Sequence, residues 1–187
     1  MELLQFSSSL ILVIAICCCM AEYVIRVEKF DFVVYDRKLI ISSNSEVQQE
    51  GNRSYMSGYV SFSRALNEIR LFASMNITRP DWPPVRLIDK QFEMCAYLNN
   101  TNRNKYMKQF YNKYVTFLNV APLCPLKAHF NYTLNRFFVD DSLLSDLLPE
   151  SIFYMRVDYQ HRTRRIAHMY FTGRIIPTWE TAKLIIQ

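Results

Sequence analysis

The residues of this 187-residue chain whose types and spacing could do chemistry are few: five cysteines, three histidines, one adjacent acid pair and one arginine cluster. Cys95 and Cys124 stand in the body of the chain, while Cys17, Cys18 and Cys19 lie together near its start. A zinc centre needs ligands at short fixed spacings, such as Cys-x-x-Cys or His-Glu-x-x-His. Neither pattern occurs, and His129, His161 and His168 are scattered. No metal and no cofactor are expected. Asp140 and Asp141 are neighbours, and neighbours in a strand point to opposite faces. They would not converge on one substrate atom, which leaves loop polarity or surface calcium chemistry. The only glycines are Gly51, Gly58 and Gly173, all far apart. That excludes a dinucleotide fingerprint, a P-loop and a nucleophile elbow. No Ser-His-Asp order stands out, so the chain reads as a binding protein and not as an enzyme.

The arginines Arg162, Arg164 and Arg165 fall in the run His161 to Arg165. Such a tip could meet an anionic lipid surface, a sulfated glycan or an acidic extracellular receptor. It could equally be a solvated turn that guards a strand edge. The formal net charge is +5.

Leu10 to Ala21 is an unbroken apolar run. As a helix it spans roughly 18 Å, too short for a hydrocarbon core of about 30 Å. Cys19 and Ala21 are small residues at the offsets signal peptidase uses. Residues 1–21 are therefore read as a cleaved signal peptide and 22–187 as one secreted, extracellular domain. A membrane anchor or an N-terminal core helix is the alternative, since no Lys or Arg precedes the run. Without the leader two cysteines remain, the even number an oxidising compartment favours. A Cys95–Cys124 bridge would be worth roughly 3.6 kcal/mol in the chain-entropy view. Four glycosylation sequons, at Asn52, Asn76, Asn99 and Asn131, agree with secretion. The mature charge becomes about +6, but nucleic acid is not an expected partner of a secreted protein.

The elements that must position these residues are mostly strands. Val24 to Tyr35 alternates, with a change of phase after Val27 that suggests a bulge or burial on both faces. Ser42 to Ser57 is the most polar stretch and reads as a loop. Ile69, Leu71, Ala73 and Met75 share one phase and leave Asn76 outward. Phe130, Tyr132 and Leu134 likewise leave Asn131 outward. Phe153, Met155, Val157 and Tyr159 face Ala167, Met169, Phe171 and Gly173 across a polar turn, an antiparallel hairpin with one apolar face. One segment differs. From Arg103 to Leu118, Tyr106, Met107, Phe110, Tyr111, Tyr114, Phe117 and Leu118 recur in steps of three and four, an amphipathic helix that Thr101 or Asn102 could cap. Strands with one inserted helix predict an antiparallel β-sandwich.

The order Cys95 with Leu98, the aromatic helix, Asn119, Cys124-Pro125, Asn135 and Pro149 resembles a fly-expanded family of small secreted proteins. That family is related to the ML (MD-related lipid-recognition) proteins and to chemosensory ganglioside-activator-like proteins. The resemblance runs from about Val24 to Ile176. It departs in having no glycine after Pro149 and in allowing only one disulfide. It implies an immunoglobulin-like, ML-like sandwich whose two sheets can part around an apolar ligand. The function it implies is carriage or presentation of a lipid, fatty acid or hydrocarbon, with chemosensation as a setting. The residues expected to line such a pocket are Phe110, Tyr114, Phe117, Phe153, Met155, Met169 and Phe171. The same aromatics would also serve as plain core. A protein-interaction module with a closed core and no small ligand is the alternative.

Overall fold

The structure, a computed structural model, describes residues 23–99, 105–139 and 150–177. The leader, its expected cleavage point at Glu22, the candidate caps Thr101 and Asn102, Asp140, Asp141 and Pro149 lie outside the described residues.

Among the described residues, eight strands and two helices follow one another: β1 (Tyr23–Val34), β2 (Ile40–Glu50), β3 (Arg53–Phe62), β4 (Ile69–Arg79), β5 (Trp82–Glu93), α1 (Met94–Leu98), α2 (Lys105–Val115), β6 (Tyr132–Phe137), β7 (Ser151–His161) and β8 (Arg164–Pro177). They form a five-stranded sheet in the order β1-β8-β7-β4-β5 and a three-stranded sheet in the order β2-β3-β6. Every pairing within the sheets is antiparallel. This is the mainly β sandwich expected, and its longer helix lies between two cysteines joined as the Cys95–Cys124 disulfide, with Cα atoms 5.5 Å apart.

The late hairpin has the anticipated register. Phe153 pairs with Gly173, Met155 with Phe171, Val157 with Met169 and Tyr159 with Ala167. The phase change in β1 is a bulge between Val27 and Lys29, and it keeps Ile25, Val27 and Phe30 all buried. Asn76 falls on the outward phase of β4, and Asn52, Asn99 and Asn131 are exposed, so each sequon asparagine can be reached.

Two expectations need correction. Ser42 to Ser57 is not a loop. It forms most of the β2–β3 hairpin, turning at Gly51-Asn52, where Gly51 takes a φ of 59°. A left-handed backbone of this kind favours glycine. The stretch looks polar because β2 is an edge strand with much of its length in water, and only a few residues such as Met56 and Ser54 go inside. The helix is also shorter than Arg103–Leu118. It ends at Val115, and Thr116, Phe117 and Leu118 then each donate a backbone bond three residues back, to Lys113, Tyr114 and Val115. Such a tightened turn is a common helix ending.

Candidate functional site between the sheets

The two sheets meet closely along one side. There β1 runs beside β2 and β3, the Phe32 amide donates to Ser45 Oγ at 3.0 Å, and Gln49 Nε2 donates to the Val27 carbonyl at 2.6 Å. The opposite side has β5 as the edge of one sheet and β6 as the edge of the other. The two helices occupy this side. Tyr97 of α1 packs on Phe92 of β5 at 5.3 Å and edge-on to Tyr111 of α2 at 5.6 Å. Phe110, Tyr114 and Phe117 all pack edge-on against Phe137 of β6, with centroids 6.1, 5.4 and 5.4 Å away. The segment after the helix is fixed to β6 by Asn119. Its amide donates to Thr133, its Nδ2 to the Asn131 carbonyl, and its Oδ1 accepts from the Thr133 amide. Asn135 in turn donates its amide to the Phe117 carbonyl at 2.8 Å.

The interior is divided. One fully buried cluster holds Leu39, Ile40, Phe62, Leu66, Ile69, Leu71, Ala73, Leu126, Val157, Ile166 and Ala167. The other holds Ile25, Val27, Phe30, Met56, Met75, Ile77, Phe137, Phe153 and Ile175. Ile88, Met155 and Met169 touch both clusters, and all three are only half-buried. Met155 and Met169 lie mid-strand on the inner face of the two central strands, where a tightly filled sandwich has its driest positions. On the same face, Phe171 and Tyr159 are also half-buried, while Val157, Ala167 and Gly173 between them are buried.

The structure brings the seven residues expected to face a ligand into one neighbourhood. Tyr114, Phe117, Met155, Met169 and Phe171 pack against the second cluster, of which Phe153 is a member. Phe110 sits at the outer margin, 39% exposed, stacked on Tyr114 at 6.0 Å. Phe153 is the least accessible at 5%. A Cβ on Gly173 would stand 2.8 Å from its ring and collide with the Arg26 carbonyl. Glycine at that position is therefore what lets Phe153 lie flat against the sheet.

Two further residues belong to this neighbourhood and are not among the seven. Tyr159 packs edge-on to Phe32 at 5.7 Å, and its hydroxyl donates to Met169 Sδ at 3.9 Å, a weak partner. Lys90 pairs in register with Ala73 and so lies on the inner phase of the open edge β5, exposed to water. Tyr159 carried a signal in the alternation of β7. Lys90 carried one too, standing between Ile88 and Phe92 in period two. The electrostatics of the interior belong to the tyrosines. Burial, which penalises a phenolate, pushes Tyr114 up to about 12, with the nearby Tyr97 adding to the shift. Tyr159 is raised for the same reason, with Tyr114 adding to it. Both stay neutral at any physiological pH. Buried polar side chains among the described residues are Ser54, Ser61 and Ser151.

The arginine tip is a two-residue turn, Arg162-Thr163, closing β7 onto β8. Arg162 pairs with Glu68 at 3.0 Å and Arg165 with Asp158 at 3.4 Å, whereas Arg164 is exposed. Among the described residues no three His, Cys, Asp or Glu side chains gather as a metal cluster, and no helix is long and apolar enough to cross a membrane.

The protein is thus a two-sheet antiparallel sandwich with a disulfide-tied helical segment along its open side. Residues 71–155 match the family model described as "Protein of unknown function (DUF1091)". That span contains Cys95, Leu98, Asn119, Cys124-Pro125, Asn135 and Pro149, the residues that carry the resemblance. The match is narrower than the span from Val24 to Ile176 read from the sequence. Among solved structures, the chain is similar to the crystal structure of a Niemann-Pick type C2 protein from Japanese carpenter ant. The identity is 15%, over 83% of this chain and 95% of that chain, with a TM-score of 0.32. No curated protein matches significantly.

Proposed function

We propose that this protein is a secreted, glycosylated, non-enzymatic carrier that takes a small apolar ligand between its two sheets. The observation that carries this reading is the divided interior. Two dry clusters flank Met155 and Met169, which stay half-buried in the middle of the central strands. Methionine is unbranched and adaptable, suited to closing on a guest or on itself. The ligand would enter on the β5–β6 side, where α2 and the turn after it cover the opening through Phe110, Tyr114 and Phe117. Affinity would come from burial of apolar surface at about 25 cal/mol/Å². Phe153 serves as the fixed floor against Gly173, and Met155, Met169 and Phe171 as the walls that yield.

Contact of the arginine tip with an acidic receptor or anionic surface ranks second. Arg162 and Arg165 already hold carboxylates, and Arg164 alone of the three is left for a partner among the described residues. Chemosensory delivery is one setting in which such a carrier would act.

The test is mass spectrometry of the full chain secreted from insect cells, recorded native and then denatured after glycan removal. A non-covalent mass lost on denaturation, or an added mass after exposure to hexadecanol, is the expected result. The same spectrum should begin at Glu22. A clean mass that stays clean when alkanes, alcohols and fatty acids are offered would overturn the carrier reading.

A further inference from the structure

The outer face of the five-stranded sheet carries apolar side chains that the sandwich leaves uncovered. Ile152 and Tyr154, on the outward phase of β7, are 41% and 39% exposed. Next to β7 runs β4, whose outward residue at this level is the sequon asparagine Asn76. Asn76 pairs in register with Tyr154 on one side and with Arg86 of β5 on the other, and the sequon's Thr78 pairs with Ile152. Side chains directly opposite each other in this way stand about 5 Å apart at Cβ. Arg86 is held by Asp89 at 2.8 Å and donates through Nε to Asn76 Oδ1 at 3.3 Å. A guanidinium only donates, so Oδ1 faces Arg86, and Nδ2, the atom that carries an N-glycan, faces away from it. Among the described residues Nδ2 makes no hydrogen bond. The other three sequon asparagines are exposed at the ends of elements: Asn52 in the β2–β3 turn, Asn99 after α1 and Asn131 just before β6. Asn76 is half-buried in mid-sheet, so a sugar on it starts among neighbouring side chains and not in open water.

We infer that the N-glycan of Asn76 is a structural part of this outer face, its first N-acetylglucosamine lying on the Tyr154 ring and sheltering Ile152. This deepens the secreted, glycosylated part of the proposed function and rests on it, whatever the ligand between the sheets. The sequon inside the patch fixes which group covers it. A pyranose has one apolar face of C–H groups and a polar edge. The negative face of an aromatic ring attracts such C–H groups, and Ile152 beside it adds apolar surface. The polar edge meets the Arg86 guanidinium and the hydroxyls of Ser74 and Thr78 on the same outward phase. A contiguous apolar patch left in water invites association, and a bulky, hydrated glycan seated on it removes that hazard. The sugar and the ring thus stand to each other as a good cross-strand pair of side chains does.

The experiment uses the full chain secreted from insect cells grown with a mannosidase inhibitor, then trimmed by an endoglycosidase to one N-acetylglucosamine at each occupied site. Glycopeptide mass spectrometry should find Asn76 occupied. Trimming should leave the melting temperature unchanged, whereas Asn76→Gln should lower it by about 2–4 °C, the shift one such contact makes in a domain of this size. Asn52→Gln and Asn131→Gln should each lower it by less than about 1 °C, as ordinary surface changes do. Tyr154→Thr should cost as much as Asn76→Gln in the glycosylated chain and little when added to Asn76→Gln, because the two groups act as one pair. If Asn76→Gln is not secreted, NMR of the trimmed chain decides. The N-acetyl methyl of the Asn76 sugar should lie upfield of those at the other sites, through the Tyr154 ring current, and rejoin them in Tyr154→Thr. A bare Asn76 while other sequons carry sugar, equal melting of the trimmed and Asn76→Gln chains, or an unshifted methyl would overturn the inference and leave the secreted glycoprotein standing. Self-association of the trimmed chain that Tyr154→Thr abolishes would overturn it too and make the patch an interface between copies. Sugar at none of the four sites would overturn the glycosylated reading and the inference together.

Discussion

The two halves of the interior are built differently, though the same sheets run through both. The Leu66 half is largely aliphatic, and it is latched by backbone. Leu66 and Leu126 exchange bonds of 3.0 and 2.7 Å, and His129 donates its amide to the Phe62 carbonyl. Leu66, Ile166 and Ala167 are at most 1% exposed. The Phe137 half is aromatic and methionine-rich. Half-buried aromatics, Tyr114, Phe117 and Phe171, pack against it, and one of its walls is a helix held by ring contacts and a disulfide. Close packing makes the first half specific and intolerant of change. The second half has side chains that can repack, so a guest there displaces less.

That contrast can be broken by mutation. The largest effect belongs to the latched half: Leu66→Ala should cost about 3–5 kcal/mol, since a fully enclosed site cannot collapse onto the void. Urea unfolding of the full chain measures it. Next comes Cys95→Ser with Cys124→Ser, at about 3 kcal/mol by loop closure. Hydrogen exchange should then rise in α2 and near Phe137 well before it rises at Leu66 and Leu126. A uniform rise would mean that the two halves are one unit. Met169→Ala should cost only about 1 kcal/mol, less than a fully buried truncation, because its site is already partly accessible. It should also weaken hexadecanol binding. A loss as large as that of Leu66→Ala would show the second half to be closed core.

The effect that is smallest at neutral pH is a pH dependence. The Tyr114 phenol has its pKa raised from 10.0 to about 12 in the fold. The unfolded chain therefore gives up this proton first as the pH rises. Stability contributed by the neutral phenol is complete below about pH 10 and is lost as the pH climbs towards about 12. Tyrosinate absorbance during alkaline titration should lag for Tyr114, and Tyr114→Phe should remove that part of the drop in stability.

The late hairpin was legible residue by residue, because one face of β7 and β8 is dry and the other wet, so period two is clean. The β1 bulge was legible for the same reason. The β2–β3 hairpin was not, since strands in water on much of their length carry polar residues in both phases, and the turn signal at Gly51-Asn52 was the main clue. The aromatic helix was plain from its spacing, but its end was not. The bonds that close its last turn are set by Asn119 and Asn135 clipping the chain to β6, a tertiary effect. The seven aromatic and methionine positions could be gathered from sequence, yet their division into a fixed floor at Phe153 and yielding walls at Met155 and Met169 could not. It depends on the missing side chain at Gly173, directly opposite Phe153 on the neighbouring strand, and on how close the Arg26 carbonyl comes from β1. Tyr159 was visible as an inward residue, but only the fold sets its ring edge-on to Phe32 and its hydroxyl towards Met169.

The most direct test of a guest between the sheets is methyl NMR of the full chain with methionine methyls labelled and hexadecanol added. Nuclear Overhauser contacts from the alkyl chain to the Met155 and Met169 methyls, with none to Met56 in the dry second cluster, are the predicted result. Contacts confined to exposed residues such as Val85 and Leu87 on the edge strand, or none at all, would contradict it.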